Sequence, residues 1–310
     1  MSSSAPSDVA LIRADIRRRK HRDLWFGALG VLALAFALLT VVTLFANMLI
    51  DGWARLTPEF LSSFPSRRAG QAGILSAWVG SLLVMLVTAG VAVPLGVAAG
   101  IWLEEYAPKH WITDIIEINI NNLAGVPSII YGLLALGLFV YTFGLGQSIR
   151  TAGLTLALLI LPMIIVATRE AIRGIPQSIR EGAYALGATR WQMVRHHILP
   201  YSMPGIFTGV IIGMARAIGE TAPIITIGAL TFIAFLPPAP LVGTPPFVNF
   251  EWLSAPFTVM PIQIFNWTSR PEAAFQQNAA AASVILVAMT LMMNGLAIWL
   301  RYRLRKNLKW

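Results

Sequence analysis

The sequence predicts an all-α membrane protein with six transmembrane helices, and three observations predict it. Of its 310 residues, 56% are apolar and only 12% are charged, against roughly 25% charged in soluble domains. The apolar residues come in long runs almost free of charge, each near the ~20 residues a helix needs to cross a bilayer. Lys and Arg gather between those runs, mostly in every second gap.

Taken in order, residues 1–23 form a basic tail with Arg13, Arg17, Arg18, Arg19, Lys20 and Arg22. The tail looks like a signal-peptide n-region. The run that follows, 24–50, is too long for a signal h-region, and no small-residue cleavage site comes after it. It reads as a retained first span. The second span covers 74–103 and the third 115–147. The fourth, 151–168, is shorter but sufficient. The fifth is free of charge over 198–215 and continues past two charges to 235; the sixth covers 273–300. Pro94, Pro127 and Pro162 lie inside these runs, where membrane helices tolerate them.

Six spans put both termini on one side. That side carries seventeen Lys and Arg, counting both tails, Lys109, and Arg169, Arg173, Arg180, Arg190 and Arg195. The other side carries five: Arg55, Arg67, Arg68, Arg150 and Arg270. By the positive-inside rule, the tails 1–23 and 302–310 and the segment 174–200 are cytoplasmic. The chain is therefore expected to be multi-pass with both termini cytoplasmic and its main membrane domain over 74–301. The loop 235–272 falls on the far side. Its first part, "FLPPAPLVGTPPFV", holds too many prolines for a regular helix. Its second, "EWLSAPFTVMPIQIFNW", is apolar enough to lie on the membrane interface or dock a partner.

Several functions are excluded. Without cysteine there is no disulfide, thiolate metal site or cysteine nucleophile. The net charge of +9 sits at span ends and is not interleaved with aromatic residues, so nucleic acid is not an expected partner. No G-x-x-x-x-G-K-[ST] or H-E-x-x-H occurs. The four histidines make no metal set, and no catalytic constellation emerges. The chain is not expected to be an enzyme or to hold a cofactor.

Residues 178–200, "SIREGAYALGATRWQMVRHHILP", are polar, basic and helix-forming between two apolar runs. Ser178 and Glu181 have the spacing of one capping box, Thr189 and Gln192 of another. Gly187 between them suits a helix-ending glycine. The first helix is expected to present Ile179, Ala183 and Leu186 on one side. An amphipathic linker lying on anionic lipid needs neither a glycine corner nor two caps. The pattern points instead to a rigid contact with another protein.

These residues carry a resemblance. Glu181, Gly182, Ala183 and Gly187, followed at the family's spacing by Leu199 and Pro200, resemble the E-A-A-x-x-x-G loop of ABC importer permeases. Gly182 replaces an alanine, and His197 stands where isoleucine is usual, although Ile198 is adjacent. "PLGVAAGIWLEEYAP", "NNLAGVPSIIYGLLALGLF" and "ARAIGETAP" are similar to phosphate-uptake permeases of the PstA type, a likeness spanning 74–310. The resemblance implies the type I, MetI-like permease architecture with cytoplasmic coupling helices. It also implies a set of partners: a second permease subunit, a dimer of ATPase subunits binding ATP and magnesium, and a periplasmic phosphate-binding protein. The membrane lipid surrounds them, and the resemblance implies a bacterial cytoplasmic membrane.

Two charges lie within the fifth span. Arg216 sits ~22 Å from its cytoplasmic end at 1.5 Å per residue, where burial of the charge is costly. Glu220 is four residues on and close enough to pair. A self-neutralising structural pair is one reading. The other starts from Gly205, Gly209 and Gly213, a small-residue ladder that packs this face against another helix. It makes Arg216 a planar, bidentate ligand for an oxyanion, with Glu220 holding it when no anion is bound. Arg169 and Glu170, beside Arg173 at the end of the fourth span, either anchor that end or join Arg216 in the pathway, as the family resemblance implies. Asn119, Asn121 and Asn122 are candidates for hydrogen bonds across helices. A permease for another oxyanion and an ion-gradient-driven secondary carrier are the rival functions. The second would have no need of a rigid cytoplasmic handle.

Overall fold

The computed structural model describes residues 5–241 and 247–305. The chain divides after Asp51 into two units. The first is almost entirely α1 (Ala5–Gly52), one unbroken helix that begins inside the basic tail and continues through the first apolar run. Its apolar side chains from Leu24 to Val42 are exposed.

The second unit opens with α2 (Pro58–Ser62), capped by the Thr57 hydroxyl, which accepts from Phe60 N–H. α3 (Leu75–Ile101) follows and ends in a π-helical turn, Trp102–Tyr106. α6 (Ile149–Arg173) packs along α3 at a separation set by small residues. A β-carbon on Gly100 would fall 2.6 Å from Thr168 Cβ, and one on Gly153 2.5 Å from Val87 Cβ. Both lie inside van der Waals contact, so only glycine lets the two helices come this near.

Between them, the third apolar run is not one straight span. It folds as α4 (Trp111–Leu123) and α5 (Ser128–Ala135), which continues π-helically over Leu136–Thr142, and the two halves meet at 106°. Pro127 explains the break, since it has no N–H to donate and disfavours helical backbone at Val126. The Tyr131 hydroxyl spans the corner by donating to the Leu123 carbonyl at 2.8 Å. Among the described residues, five helices are long and apolar enough to cross a membrane, or six if the bent pair is counted as one span.

α7 (Gln177–Ala185) and α8 (Arg190–Met193) form an elbow after α6. A π-helical turn, Val194–Ile198, leads into α9 (Leu199–Gly219). The ladder glycines do what their spacing predicts. A β-carbon on Gly205 would lie 2.5 Å from Ala171 Cβ, and one on Gly209 2.2 Å from Ala167 Cβ, so α9 lies against α6. The fifth run then stops being one helix. Glu220 is extended, and α10 (Ala222–Ile227), with Pro223 in its first turn, ends at Gly228 with φ +92°.

The loop 235–272 departs from expectation in its second half. Phe257, Val259, Met260, Ile262 and Trp267 are buried within the protein's own core. α11 (Met260–Thr268) is held there by Met260 N–H donating to the Ser81 hydroxyl at 2.8 Å. Trp267 sits between the rings of Phe60 and Phe275 at centroid distances of 5.9 and 6.5 Å. These residues therefore neither lie on the membrane interface nor wait for a partner; burial against α3 and α12 (Ala273–Arg305) already satisfies their apolar surface. Leu241, Phe247 and Phe250 remain exposed, and the prolines of 242–246 lie outside the described residues. Along α5 and α12, Ile129, Ile130, Leu133, Leu134, Leu291, Met292 and Leu296 face outward, as helices bathed in hydrocarbon should.

Candidate functional site: a paired arginine in the bundle and a charged elbow at its end

Arg216 occupies the last turn of α9, where a cation complements the unpaired carbonyl end of the helix. Its Nε donates to Glu220 Oε1 at 3.3 Å, and its Nη1 approaches Met163 Sδ on α6 at 3.5 Å. Gly219 and Pro223 interrupt the fifth span, as their residue types imply, and Glu220 lies in the break. It is the first residue beyond α9, with φ −74° and ψ 125°, and pairs from there. Arg216 is 37% exposed and Glu220 18%, so the guanidinium is not sealed in. One N–H edge serves the glutamate, and the exposed remainder can still meet an oxyanion in the bidentate manner of arginine.

Arg169 is elsewhere. It lies six residues past Met163 along α6, ~9 Å of helix rise, toward the end that carries the elbow. Its side chain is 6% exposed and is gripped by Glu117 of α4 and by Glu104, 3.5 Å from Nε. Glu104 also accepts from Arg173 Nε at 2.9 Å with both oxygens. Glu170 points outward, 66% exposed, 3.7 Å from Arg173. The four residues assigned to a pathway thus fall into two groups, the Arg216–Glu220 pair within the bundle and a second cluster at its end. Sequence reasoning missed that cluster's acids, Glu104, Glu105 and Glu117. The signal was there in "LEEYAP": two adjacent carboxylates closing an apolar run, facing a segment with five arginines. Asn119 donates to the Ile115 carbonyl of its own helix at 2.8 Å and makes no hydrogen bond to another helix among the described residues.

The elbow is built much as its sequence suggests, with two exceptions. Thr189 and Gln192 form a reciprocal capping box: Thr189 N–H donates to Gln192 Oε1 at 2.8 Å, and Gln192 N–H to the Thr189 hydroxyl at 3.3 Å. Gly187 turns the chain with φ +78°, a conformation that disfavours any side chain. The Ser178–Glu181 box does not form. α7 starts two residues early, after Pro176, and has no side-chain cap. Proline presets the backbone entering the helix, which puts Ser178 inside the first turn instead of at the cap.

Ala183 is buried with Ile172, Ile175, Met193, Val194 and Ile198. Ile198 is fully buried and His197 half-buried, so the apolar contact next to the departed isoleucine position is made by Ile198. Leu199 and Pro200 begin α9. Glu181 and Gly182 are exposed, and so are Tyr184, Leu186 and Trp191. Leu186 does not join Ile179 and Ala183; at 89% exposure it stands at the tip of the elbow. A rigid corner with an uncovered leucine and two uncovered aromatic rings is suited to receiving another protein.

A family model described as "binding-protein-dependent transport system inner membrane component" matches residues 92–309, which includes the bent third span, the elbow, Arg216 and Glu220. The chain belongs to this family. It is an ABC importer permease, a multi-pass inner-membrane transport subunit. Relatives agree over most of its length. A probable ABC transporter permease protein of Bacillus subtilis, YqgI, is 32% identical over 91% of this chain and 96% of its own. The phosphate transport system permease protein PstA of Yersinia pestis is 31% identical over 91% of this chain and 90% of its own. PstA 1 of Mycobacterium tuberculosis strain H37Rv is 30% identical over 86% and 83%. Among solved structures, a bacterial alginate ABC transporter superposes with a TM-score of 0.64 over 90% of this chain and 94% of its own, at 14% identity. The inward-facing MetNI methionine ABC transporter gives 0.57 over 73% and 93%, at 18% identity. The fold is that of the type I, MetI-like permeases.

Proposed function

We propose that this chain is the PstA-type permease subunit of an ATP-driven importer of inorganic phosphate. The observation that carries the reading is the Arg216–Glu220 pair: a partly open guanidinium within the bundle, in a chain whose phosphate-permease relatives align over most of its length. Phosphate would displace part of the Arg216–Glu220 contact and take the planar N–H edge, and Glu220 would recapture the arginine on release. A pathway of this kind binds its solute weakly enough to let it go. Arg169 and Glu170 serve the same passage from its cytoplasmic end, Arg169 by fixing α4 to α6 through Glu117.

A second permease subunit completes the path, and a periplasmic binding protein delivers phosphate to the outer face. Two ATPase subunits, holding ATP and magnesium, seat the elbows on the cytoplasmic side. Glu181, Gly182, Ala183 and Gly187 form the docking corner, and Leu199 and Pro200 join it to α9. The termini and the elbow share the cytoplasmic side. The test is uptake of labelled phosphate by cells carrying Arg216→Gln, alongside membrane abundance of the complex. The reading requires uptake to fall while abundance holds. Wild-type uptake in that variant would remove Arg216 from the path.

A further inference from the structure

We propose that Arg180, clamped by Glu105, is the positioning residue that makes α7 move with α3 and α6 as one body when the elbow is pushed. The inference rests on the docking role proposed above for the elbow and concerns what happens next to the motion.

α7 needs such a tie. Its backbone joins α6 through the three residues Gly174, Ile175 and Pro176, its N-terminus has no side-chain cap, and its one buried side chain, Ala183, adds only a nondirectional apolar contact in the cluster with Ile172 and Ile175. Left to the backbone, a force on Leu186 or Trp191 would rotate α7 about that short joint and leave the spans where they were. Arg180 closes the joint from three directions. Its Nε and Nη2 donate to Glu105 Oε1 at 3.0 and 2.7 Å. Its Nη1 donates to the Ile175 carbonyl at 2.9 Å and Nη2 to the Ile172 carbonyl at 3.1 Å. One planar side chain thereby binds α7 to the end of α6 and, across the gap, to the end of α3.

The clamp differs in kind from a surface ion pair. The Arg180 and Glu105 side chains are 13% and 7% exposed, whereas Arg173 and Glu170 nearby are 47% and 66% exposed and 3.7 Å apart. Removing one partner of a buried pair leaves a charge without compensation. The placement of Glu105 adds a further reason. It lies in the π-helical turn that ends α3, next to Glu104. The two neighbours divide the work: Glu104 holds Arg169 and Arg173 on α6, and Glu105 holds Arg180 on α7. The end of α3 is therefore fixed to the fourth span and to the elbow by adjacent residues. Glu105 lies outside the E-A-A-type motif, and Arg180 precedes it.

The experiment uses the full complex with its ATPase, second permease and binding protein in proteoliposomes. It measures phosphate imported per ATP hydrolysed, and ATPase co-purification, for wild type, Glu105→Gln, Glu105→Asp and Arg180→Lys. In Glu105→Gln the ATPase should still co-purify and hydrolyse ATP, while phosphate per ATP falls about fivefold or more. Glu105→Asp and Arg180→Lys, which keep the charges, should recover part of the ratio. A wild-type ratio in Glu105→Gln would overturn the proposal. So would loss of the ATPase from that variant, which would make the clamp a support for docking and not a link beyond it. Failure of the ATPase to co-purify with wild type would instead overturn the docking role on which the proposal stands.

Discussion

Replacing Gly209 by alanine adds one methyl group between α9 and α6. The added carbon would lie 2.2 Å from Ala167 Cβ, whereas nonbonded carbons rest about 3.5–4.0 Å apart. The helices must part by about 1.3–1.8 Å, or the ladder must slide; overpacking of this sort costs about 1–3 kcal/mol. The backbone term has the opposite sign, since alanine is favoured over glycine in a helix interior by about 1 kcal/mol. Gly90 on α3 isolates that term, because a β-carbon there would meet nothing within 4 Å. Gly90→Ala should therefore hold or raise the unfolding midpoint of the detergent-purified protein, and Gly209→Ala should lower it. Adding Ala167→Gly should restore the loss: with that methyl gone, the closest atom to the new carbon is Ala167 Cα at 3.6 Å, an ordinary contact. Scanning fluorimetry on the four proteins reads the outcome. If Gly209→Ala is as stable as Gly90→Ala, or the double variant is no better than the single one, the close α6–α9 contact is not what the glycines are for.

Other consequences can be checked in parallel. Gly187→Val forces a β-branched residue toward φ +78° and should weaken co-purification with the ATPase while membrane abundance holds; unchanged co-purification would discount the corner. Arg169→Gln strips a buried cation from between Glu117 and Glu104 and should destabilise by about 3–5 kcal/mol. Adding Glu117→Gln should return part of that, measured as the unfolding midpoint of the purified protein, and no recovery would mean the pair is not coupled. A reporter fused after Trp310 should be active only in the cytoplasm, and periplasmic activity would invert the topology.

The apolar runs announced the spans because a bilayer imposes length and composition directly on sequence. Their continuity was less visible. Pro127 was tolerated inside a run, yet here it turns α4 and α5 by 106°; Pro94 and Pro162 sit in unbroken helices. Only the three-dimensional surroundings of each proline separate these outcomes. The loop around Met260 read as available apolar surface because nothing local shows that Gly80 and Ser81, 179 residues away in the case of Ser81, make a seat for it. At the site, the Arg216–Glu220 pair followed from a four-residue spacing and survived even though Glu220 leaves the helix. The grouping of Arg169 with Glu104 and Glu117 did not, because its partners come from 52 and 65 residues earlier in the chain. Ser178 misled for a local reason: Pro176 claimed the helix start two residues before the hydroxyl could cap it.

On the proposed function, an external motor grips the elbow and thereby drives the spans. The chain has no cysteine, so a single Leu186→Cys, at the most exposed large apolar side chain of the elbow, gives a photo-crosslinker one attachment point on this chain. In intact membranes expressing the whole transporter, it should form one adduct with the nucleotide-hydrolysing subunit, and the adduct yield should change when ATP is trapped. Adducts with lipid alone, or none, would contradict the account.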